Sequence, residues 1–207
     1  MKQTHLFDLD CIRFDVPDAE LIYIPEFISF DQADGCLETL KQTLSWSQDE
    51  ITLYGKSVTI PRLQAWHGDA EAEYRYSNLS MRPQGWTPML YELKQACEAY
   101  LCCTFNSVLG NWYRDGQDSM GMHSDNEPEL GPHPTIAALS FGQTRRLKFR
   151  HRNKRDRLNI DMQSGSLLVM SGSTQRFWQH GIAKSVKPMQ ERMSLTFRHI
   201  FSRTNYT

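Results

Sequence analysis

Apolar positions change their spacing about halfway along this chain, and the change divides it into a helical and a strand-forming part. Ala33, Cys36, Leu37, Leu40 and Leu44 recur at helical intervals behind Asp31, a residue suited to capping, so the spacing predicts an amphipathic helix over about 31–45. Leu90, Leu93, Cys97 and Leu101 repeat the pattern behind Thr87-Pro88, with proline at the first helical position. Beyond about residue 105 the period shortens. Short β-type runs follow at 106–113, 135–141, 147–151, 158–161, 166–170 and 192–201, separated by turns bearing Gly, Asn and Asp. Helices followed by evenly spaced short strands predict an α+β, mainly β domain built on a sandwich or barrel, and a double-sheet jelly roll can hold a metal in its mouth.

At 207 residues, 40% hydrophobic and 23% charged, the chain suits one domain over 1–207. The opening residues lack the apolar core of a secretion signal, and no apolar run approaches the roughly 20 residues of a membrane helix. The expectation is a monomer without membrane contact, in the bacterial-type cytosol or nucleoid, or in the nucleus if eukaryotic. The five cysteines (Cys11, Cys36, Cys97, Cys102 and Cys103) form no C-x-x-C and are read as buried thiols. Net charge is −1, so a polyanionic partner must be argued locally. Between Arg145 and Arg157 eight residues are Lys or Arg and Asp156 is the single acid, so this stretch is read as a phosphate-contacting face, with Arg145 and Arg146 as its leading candidates.

The chemistry gathers in the strand-forming half. His123, Asp125 and His180 offer two imidazoles and a carboxylate, a donor set that leaves open positions on an octahedral metal, as non-haem Fe(II) oxygenases require. Arg192, Ser194, Thr196 and Arg198 share one strand face, so two guanidinium forks and two hydroxyls line one wall suited to a dicarboxylate. Asn111 and Tyr113 also share parity and can point into one cavity. A zinc hydrolase could use the same three ligands, but it leaves Arg192 and Arg198 without a role.

The ordered set Asn111-Trp112-Tyr113-Arg114-Asp115-Gly116, His123-Ser124-Asp125-Asn126-Glu127, Ser140-Phe141-Gly142, Ser164 to Met170, His180 and Arg192 to Arg198 resembles the AlkB-like family of Fe(II)- and 2-oxoglutarate-dependent dioxygenases, most closely its DNA-repair members. The resemblance runs from about residue 50 to the C-terminus and weakly through the N-terminal helix. It implies a double-stranded β-helix (jelly roll) core over about 105–205, N-terminal helices, and a nucleotide-recognition lid over about 50–85. It also implies His123, Asp125 and His180 as iron ligands, Asn111 and Tyr113 as hydrogen-bond partners of 2-oxoglutarate, and Arg192 and Arg198 as partners of its carboxylates. Ser194 stands where the family usually has Asn, and with Thr196 it is a secondary contact.

The 51–62 stretch reads as a hairpin turning at Tyr54-Gly55, similar to the hairpin that intrudes into DNA in the double-strand-preferring members. That resemblance implies Tyr54 as a wedge and Trp66, Tyr74 and Tyr76 as aromatics around an extruded base, with Arg62 and Ser77 as further contacts and His123 as the opposite stacking surface. Asn126-Glu127 follows the ligand aspartate where repair relatives place an acid and then Glu; Asn donates as well as accepts, which widens the bases that could be accommodated. The implied activity is oxidative demethylation of 1-methyladenine or 3-methylcytosine in duplex and single-stranded DNA. It consumes O2 and 2-oxoglutarate and releases succinate, CO2 and formaldehyde. The alternatives are an oxygenase acting on methylated RNA or a protein side chain, and a damaged-DNA binding module without turnover.

Overall fold

The computed structural model describes residues 10–53, 56–72, 74–76, 79–81 and 83–201. In chain order the strands are β1 (Ile12–Phe14), β2 (Glu20–Ile24), β3 (Glu50–Leu53), β4 (Lys56–Thr59), β5 (Leu63–Gly68), β6 (Tyr74–Tyr76), β7 (Leu79–Met81), β8 (Ser107–Tyr113), β9 (Met120–His123), β10 (Ile136–Gly142), β11 (Arg145–His151), β12 (Arg157–Met162), β13 (Leu167–Ser171), β14 (Trp178–Ile182) and β15 (Arg192–Arg198). Helices α1 (Phe30–Thr43) and α2 (Pro88–Leu101) precede the main run of strands, and a short α3 (Thr174–Phe177) joins β13 to β14.

Among the described residues the strands form a seven-stranded sheet, β1-β2-β13-β10-β15-β8-β5, and a four-stranded sheet, β12-β11-β14-β9. Every pairing in both is antiparallel. Two hairpins, β3-β4 and β6-β7, stand apart from them.

Strand alternation builds two apolar cores, one on each face of the large sheet. Leu139 and Phe141 of β10 and Met193, Leu195 and Phe197 of β15 meet Ala33, Leu40, Leu90, Leu93 and Cys97 of the helices. From the opposite face, Ile136 and Leu168 meet Leu147, Phe149 and Ile160 of the small sheet. Each large apolar side chain enclosed in this way contributes about 1.5–3 kcal/mol relative to exposure. The polar face of β15 therefore opens between the two sheets, at one edge of the second core. No described helix is long and apolar enough to cross a membrane.

Local chemistry explains the ends of the helices. Thr87 caps α2 by accepting from the Leu90 N–H, and Pro88 occupies the first turn as its spacing predicts. For α1 the cap position falls at Ser29, two residues ahead of the expected Asp31, which lies in the first turn where its charge favours the helix dipole. The cysteine reading needs a larger correction. Cys36 and Cys97 are buried, but Cys11 and Cys102 are exposed and Cys103 is half-buried; all five are free. Cys102 ends α2 in the left-handed region at φ 51°, a position set by backbone termination rather than by packing.

Candidate functional site

The three candidate metal ligands come from the small sheet and the loop leaving it. His123 ends β9, His180 sits mid-strand on β14, and the two are direct partners in the ladder. Close approach of these strands depends on Gly181, where a Cβ would lie 2.8 Å from the Met120 carbonyl oxygen and 2.9 Å from that of Gly121. Asp125 lies two residues past His123. The three donor atoms lie within 4.8 Å of one another. Nε2 of His123 is 3.7 Å from Asp125 Oδ1, and Nε2 of His180 is 4.0 Å from Oδ2. These separations exceed hydrogen bonds, and three donors each about 2.1 Å from one metal stand about 3–4 Å apart.

Proton positions favour the same use. His123 Nδ1 lies 3.0 Å from the Gly121 carbonyl oxygen, which accepts its proton and leaves the Nε2 lone pair facing Asp125. Burial depresses the His180 pKa, the nearby His123 depresses it further, and Asp125 opposes both without reversing them, so the imidazole is neutral. Burial alone would raise the Asp125 carboxyl, but Arg198, through its charge and its hydrogen bond, leads the influences that hold it below the usual carboxylate range. Asp125 Oδ2 is enclosed without a hydrogen bond. A buried ionised oxygen without a donor is costly, and a cation between the three ligands removes that cost.

The loop carrying Asp125 is fixed from behind. Its N–H donates to Oε1 of buried Gln175 at 3.0 Å, and Ser124 Oγ donates to the Trp178 carbonyl oxygen at 2.7 Å. Asn126, the next residue, is exposed, and Glu127 is half-buried at the start of the turn Pro128–Leu130.

One cavity joins the ligands to the polar face of β15. Asn111, Tyr113, Arg192, Ser194, Thr196 and Arg198 line it together with His123, Asp125 and His180, while Met120, Met162 and Met170 supply apolar wall. Arg192 is 3% exposed, donates from one terminal nitrogen to Ser140 Oγ at 2.7 Å, and encloses Nε and its other terminal nitrogen without acceptors. Burial lowers its pKa to about 10, with Tyr113 opposing, so it remains cationic at neutral pH. A buried guanidinium with two unused N–H donors fits a bidentate carboxylate. Arg198 takes a different partner, lying 3.1 Å from Asp125 Oδ1. Asn111 accepts from Arg62 Nε at 2.7 Å and Gln64 Nε2 at 3.2 Å, which fixes its amide with Nδ2 as the donating end.

The remaining expected contacts are dispersed. Arg62, bonded to Asn111 and to the Ser119 carbonyl oxygen, braces Asn111 of the cavity wall. Trp66 is half-buried on β5, packed near Ala72, Leu130 and Ile200, and shares strand parity with Gln64, which bonds Asn111 behind the cavity wall. Tyr74 and Tyr76 lie on β6 with the equal parity expected, while their side chains, Tyr54 and Ser77 lie outside the described residues. Arg146 is exposed and forms a forked pair with Asp161 at 2.7 and 2.8 Å. Arg145 overturns its expectation as a phosphate contact. It is 3% exposed, and its donors reach the carbonyl oxygens of Asp115, Asp118 and Ala183.

Ser140 is legible in the sequence only as part of the motif Ser140-Phe141-Gly142, without a role, and Gln175 is not legible at all. Ser140 shares parity with Ile136 and Ala138 on the inner face of β10, a signal already present in the alternation. Gln175 sits on a four-residue helix whose length carries no periodicity.

Residues 20–198 match the 2OG-Fe(II) oxygenase superfamily. The chain is 40% identical over 187 residues to alpha-ketoglutarate-dependent dioxygenase alkB homolog 3 of Mus musculus, with 86% of this chain and 65% of that protein covered. It is 34% identical over 180 residues to the DNA oxidative demethylase ALKBH2 of Homo sapiens, covering 82% of this chain and 69% of that protein. The chain thus spans slightly less than two thirds of the first relative's length and slightly more of the second's. A solved structure titled "The structure of OsALKBH1" matches with a TM-score of 0.59 over 92% of this chain and all of that one; at 15% identity it speaks for the jelly-roll fold alone. With a match across nearly its whole described length and relatives at this identity, the chain belongs to the AlkB-like family of the 2OG-Fe(II) oxygenase superfamily.

Proposed function

We propose that this chain is a DNA-repair dioxygenase that removes N-methyl groups from bases such as 1-methyladenine and 3-methylcytosine, with Fe(II), 2-oxoglutarate and O2. One observation carries the reading: a two-histidine, one-carboxylate cluster shares a cavity with a buried arginine that has two unused donors. Relatives named as alpha-ketoglutarate-dependent dioxygenases and DNA oxidative demethylases support it.

In this reading His123, Asp125 and His180 hold Fe(II), which supplies the oxidising chemistry at the methyl carbon when O2 and 2-oxoglutarate are present. Arg192 receives the far carboxylate of the co-substrate through Nε and its unused terminal nitrogen, with Tyr113 beside it. Asn111, braced by Arg62 and Gln64, offers Nδ2 to the co-substrate, and Ser194 and Thr196 add hydroxyls. Arg198 neutralises Asp125 and shares the near end of the cavity. The apolar wall of Met120, Met162 and Met170 limits water around the reacting centre. Hydroxylation leaves a hemiaminal that loses formaldehyde, and no side chain acts as nucleophile.

The two free hairpins form the lid over about 50–85, within a single domain over 1–207. Tyr54 would enter the duplex, and Trp66, Tyr74, Tyr76 and Ser77 would surround the extruded base. Asn126 and Glu127 would face its exocyclic edge, with His123 stacking opposite. Arg146 would meet phosphate. The protein would act as a monomer in the cytosol or nucleoid, or in the nucleus of a eukaryote. Activity across 1-methyladenine and 3-methylcytosine in single strands, duplexes and matched RNA tests the substrate. Turnover of methylated DNA above that of RNA is expected, and the reverse order would move the assignment to RNA.

A further inference from the structure

Arg145 looked like the leading edge of a basic surface, yet its guanidinium lies inside the protein, against Tyr113 of the cavity wall. It opens β11, directly opposite Met162 of β12, which is itself part of the cavity wall. One terminal nitrogen donates to the Asp115 carbonyl oxygen at 2.9 Å. The other donates to those of Asp118 at 3.0 Å and Ala183 at 2.9 Å. These acceptors belong to two segments distant in sequence: the turn that leaves β8 just after Tyr113, and the stretch that follows β14. A planar fork can tie both at once, which a lysine ammonium on its flexible stem cannot reproduce.

The same guanidinium lies 5.8 Å from the centre of the Tyr113 ring, and that of Arg192 lies 5.3 Å from it. Tyr113 and Arg192 are direct partners in the β8-β15 ladder. The turn beyond Tyr113 is closed independently by Arg114, whose side chain and N–H all bond Asp118. Tyr113 is therefore fixed at its backbone by the ladder and at its ring by two cations.

We propose that Arg145 is a positioning residue of the co-substrate pocket, one that sets 2-oxoglutarate affinity by holding Tyr113 and the turn behind it, and that it makes no contact with DNA. The inference rests on the reading that 2-oxoglutarate occupies the Arg192 end of the cavity. Arg145 also places a second buried positive charge near the dicarboxylate, where the low dielectric keeps its influence from being screened.

The test is an anaerobic titration of the full chain, loaded with Fe(II), by 2-oxoglutarate, followed by the visible charge-transfer band of the complex. Mn(II) affinity and binding of a methylated oligonucleotide are measured alongside. Arg145→Met is expected to weaken 2-oxoglutarate binding about tenfold, between the scales of an exposed and a desolvated cation–π contact. Arg145→Lys, which keeps the charge but loses the fork, is expected to weaken it less. Mn(II) and oligonucleotide affinities should stay within about twofold, since neither ligand shares a contact with Arg145. Unchanged 2-oxoglutarate affinity, or a loss confined to the oligonucleotide, overturns the inference. If Arg145→Met does not fold, Arg145→Lys decides on the same criteria. Arg192→Met separates the two levels: if it leaves 2-oxoglutarate affinity intact, the pocket reading itself fails, and if it alone weakens binding, only the role of Arg145 fails.

Discussion

Replacing Arg192 with Met should leave stability close to that of wild type while sharply weakening co-substrate affinity. In the free protein Arg192 is a buried cation whose hydrogen bond goes to Ser140, with two enclosed N–H groups unused. A methionine of similar length removes that incompletely paired charge. Exchanging buried charges for apolar side chains of similar volume is often neutral or stabilising by about 1–4 kcal/mol. Against this stands the Ser140 hydroxyl, whose lost partner costs about 1–3 kcal/mol. The two ranges nearly offset, with a centre slightly on the stabilising side, so the free variant should lie within about 2–3 kcal/mol of wild type and melt within a few degrees of it, at or slightly above its midpoint at the centre of the range. Binding is affected far more. Hydrogen bonds between charged groups contribute about 1.5–3 kcal/mol each, so losing a forked pair should weaken 2-oxoglutarate affinity by at least about a hundredfold. Thermal unfolding with and without 2-oxoglutarate and Mn(II) reads both effects. The wild type should gain stability from the co-substrate, and the variant should start near the wild-type midpoint and gain little. A free variant that melts well below wild type yet retains co-substrate affinity would refute the reasoning.

Gly181→Ala should drive β9 away from β14, because its Cβ would meet two carbonyl oxygens at 2.8 and 2.9 Å, so Mn(II) affinity measured by paramagnetic resonance should fall about tenfold or more. Tyr54→Ala should reduce turnover of methylated duplex more than of methylated single strand, and equal losses in parallel assays would remove it from the wedge role. Asp118 should contribute an acid-sensitive share of stability. Burial alone would raise its carboxyl, but the hydrogen bonds and charge of Arg114, with Arg145 beyond, hold it below its ordinary 3.8. That stabilisation is present above the ordinary value and fades as pH falls through the lower folded one, so Asp118→Asn should flatten the decline in denaturant stability below roughly pH 5.

Four of the seven strands of the large sheet, β8, β10, β13 and β15, were legible as short apolar runs, whereas β1, β2 and β5 precede the stretch read as strand-forming and were not predicted as strands. In β15, Met193, Leu195 and Phe197 face the helices while Arg192, Ser194, Thr196 and Arg198 face the cavity, as parity alone demands. The same rule, applied to β11, would have corrected Arg145, which shares parity with Leu147, Phe149 and His151, all buried. A dense run of positive charge obscured that alternation and made a buried anchor resemble a surface. Strands β9 and β14 were missed because Gly121 and Gly181 interrupt their apolar pattern, though glycine is what lets these ligand-bearing strands approach. Gln175 had no local signal: its hydrogen bond to the Asp125 N–H joins residues fifty apart in the chain. The partner of Arg198 was equally invisible, since its pairing with Asp125 arises from the packing of one sheet on the other.

The central claim is tested most directly by measuring formaldehyde and succinate together, with Fe(II), O2, 2-oxoglutarate and a DNA oligonucleotide bearing 1-methyladenine. The account predicts that both products appear in equal amounts, that omitting iron or 2-oxoglutarate abolishes both, and that Asp125→Ala loses both while retaining much of its DNA binding. Failure of freshly iron-loaded wild-type protein to form either product, or undiminished product formation by Asp125→Ala, would contradict it.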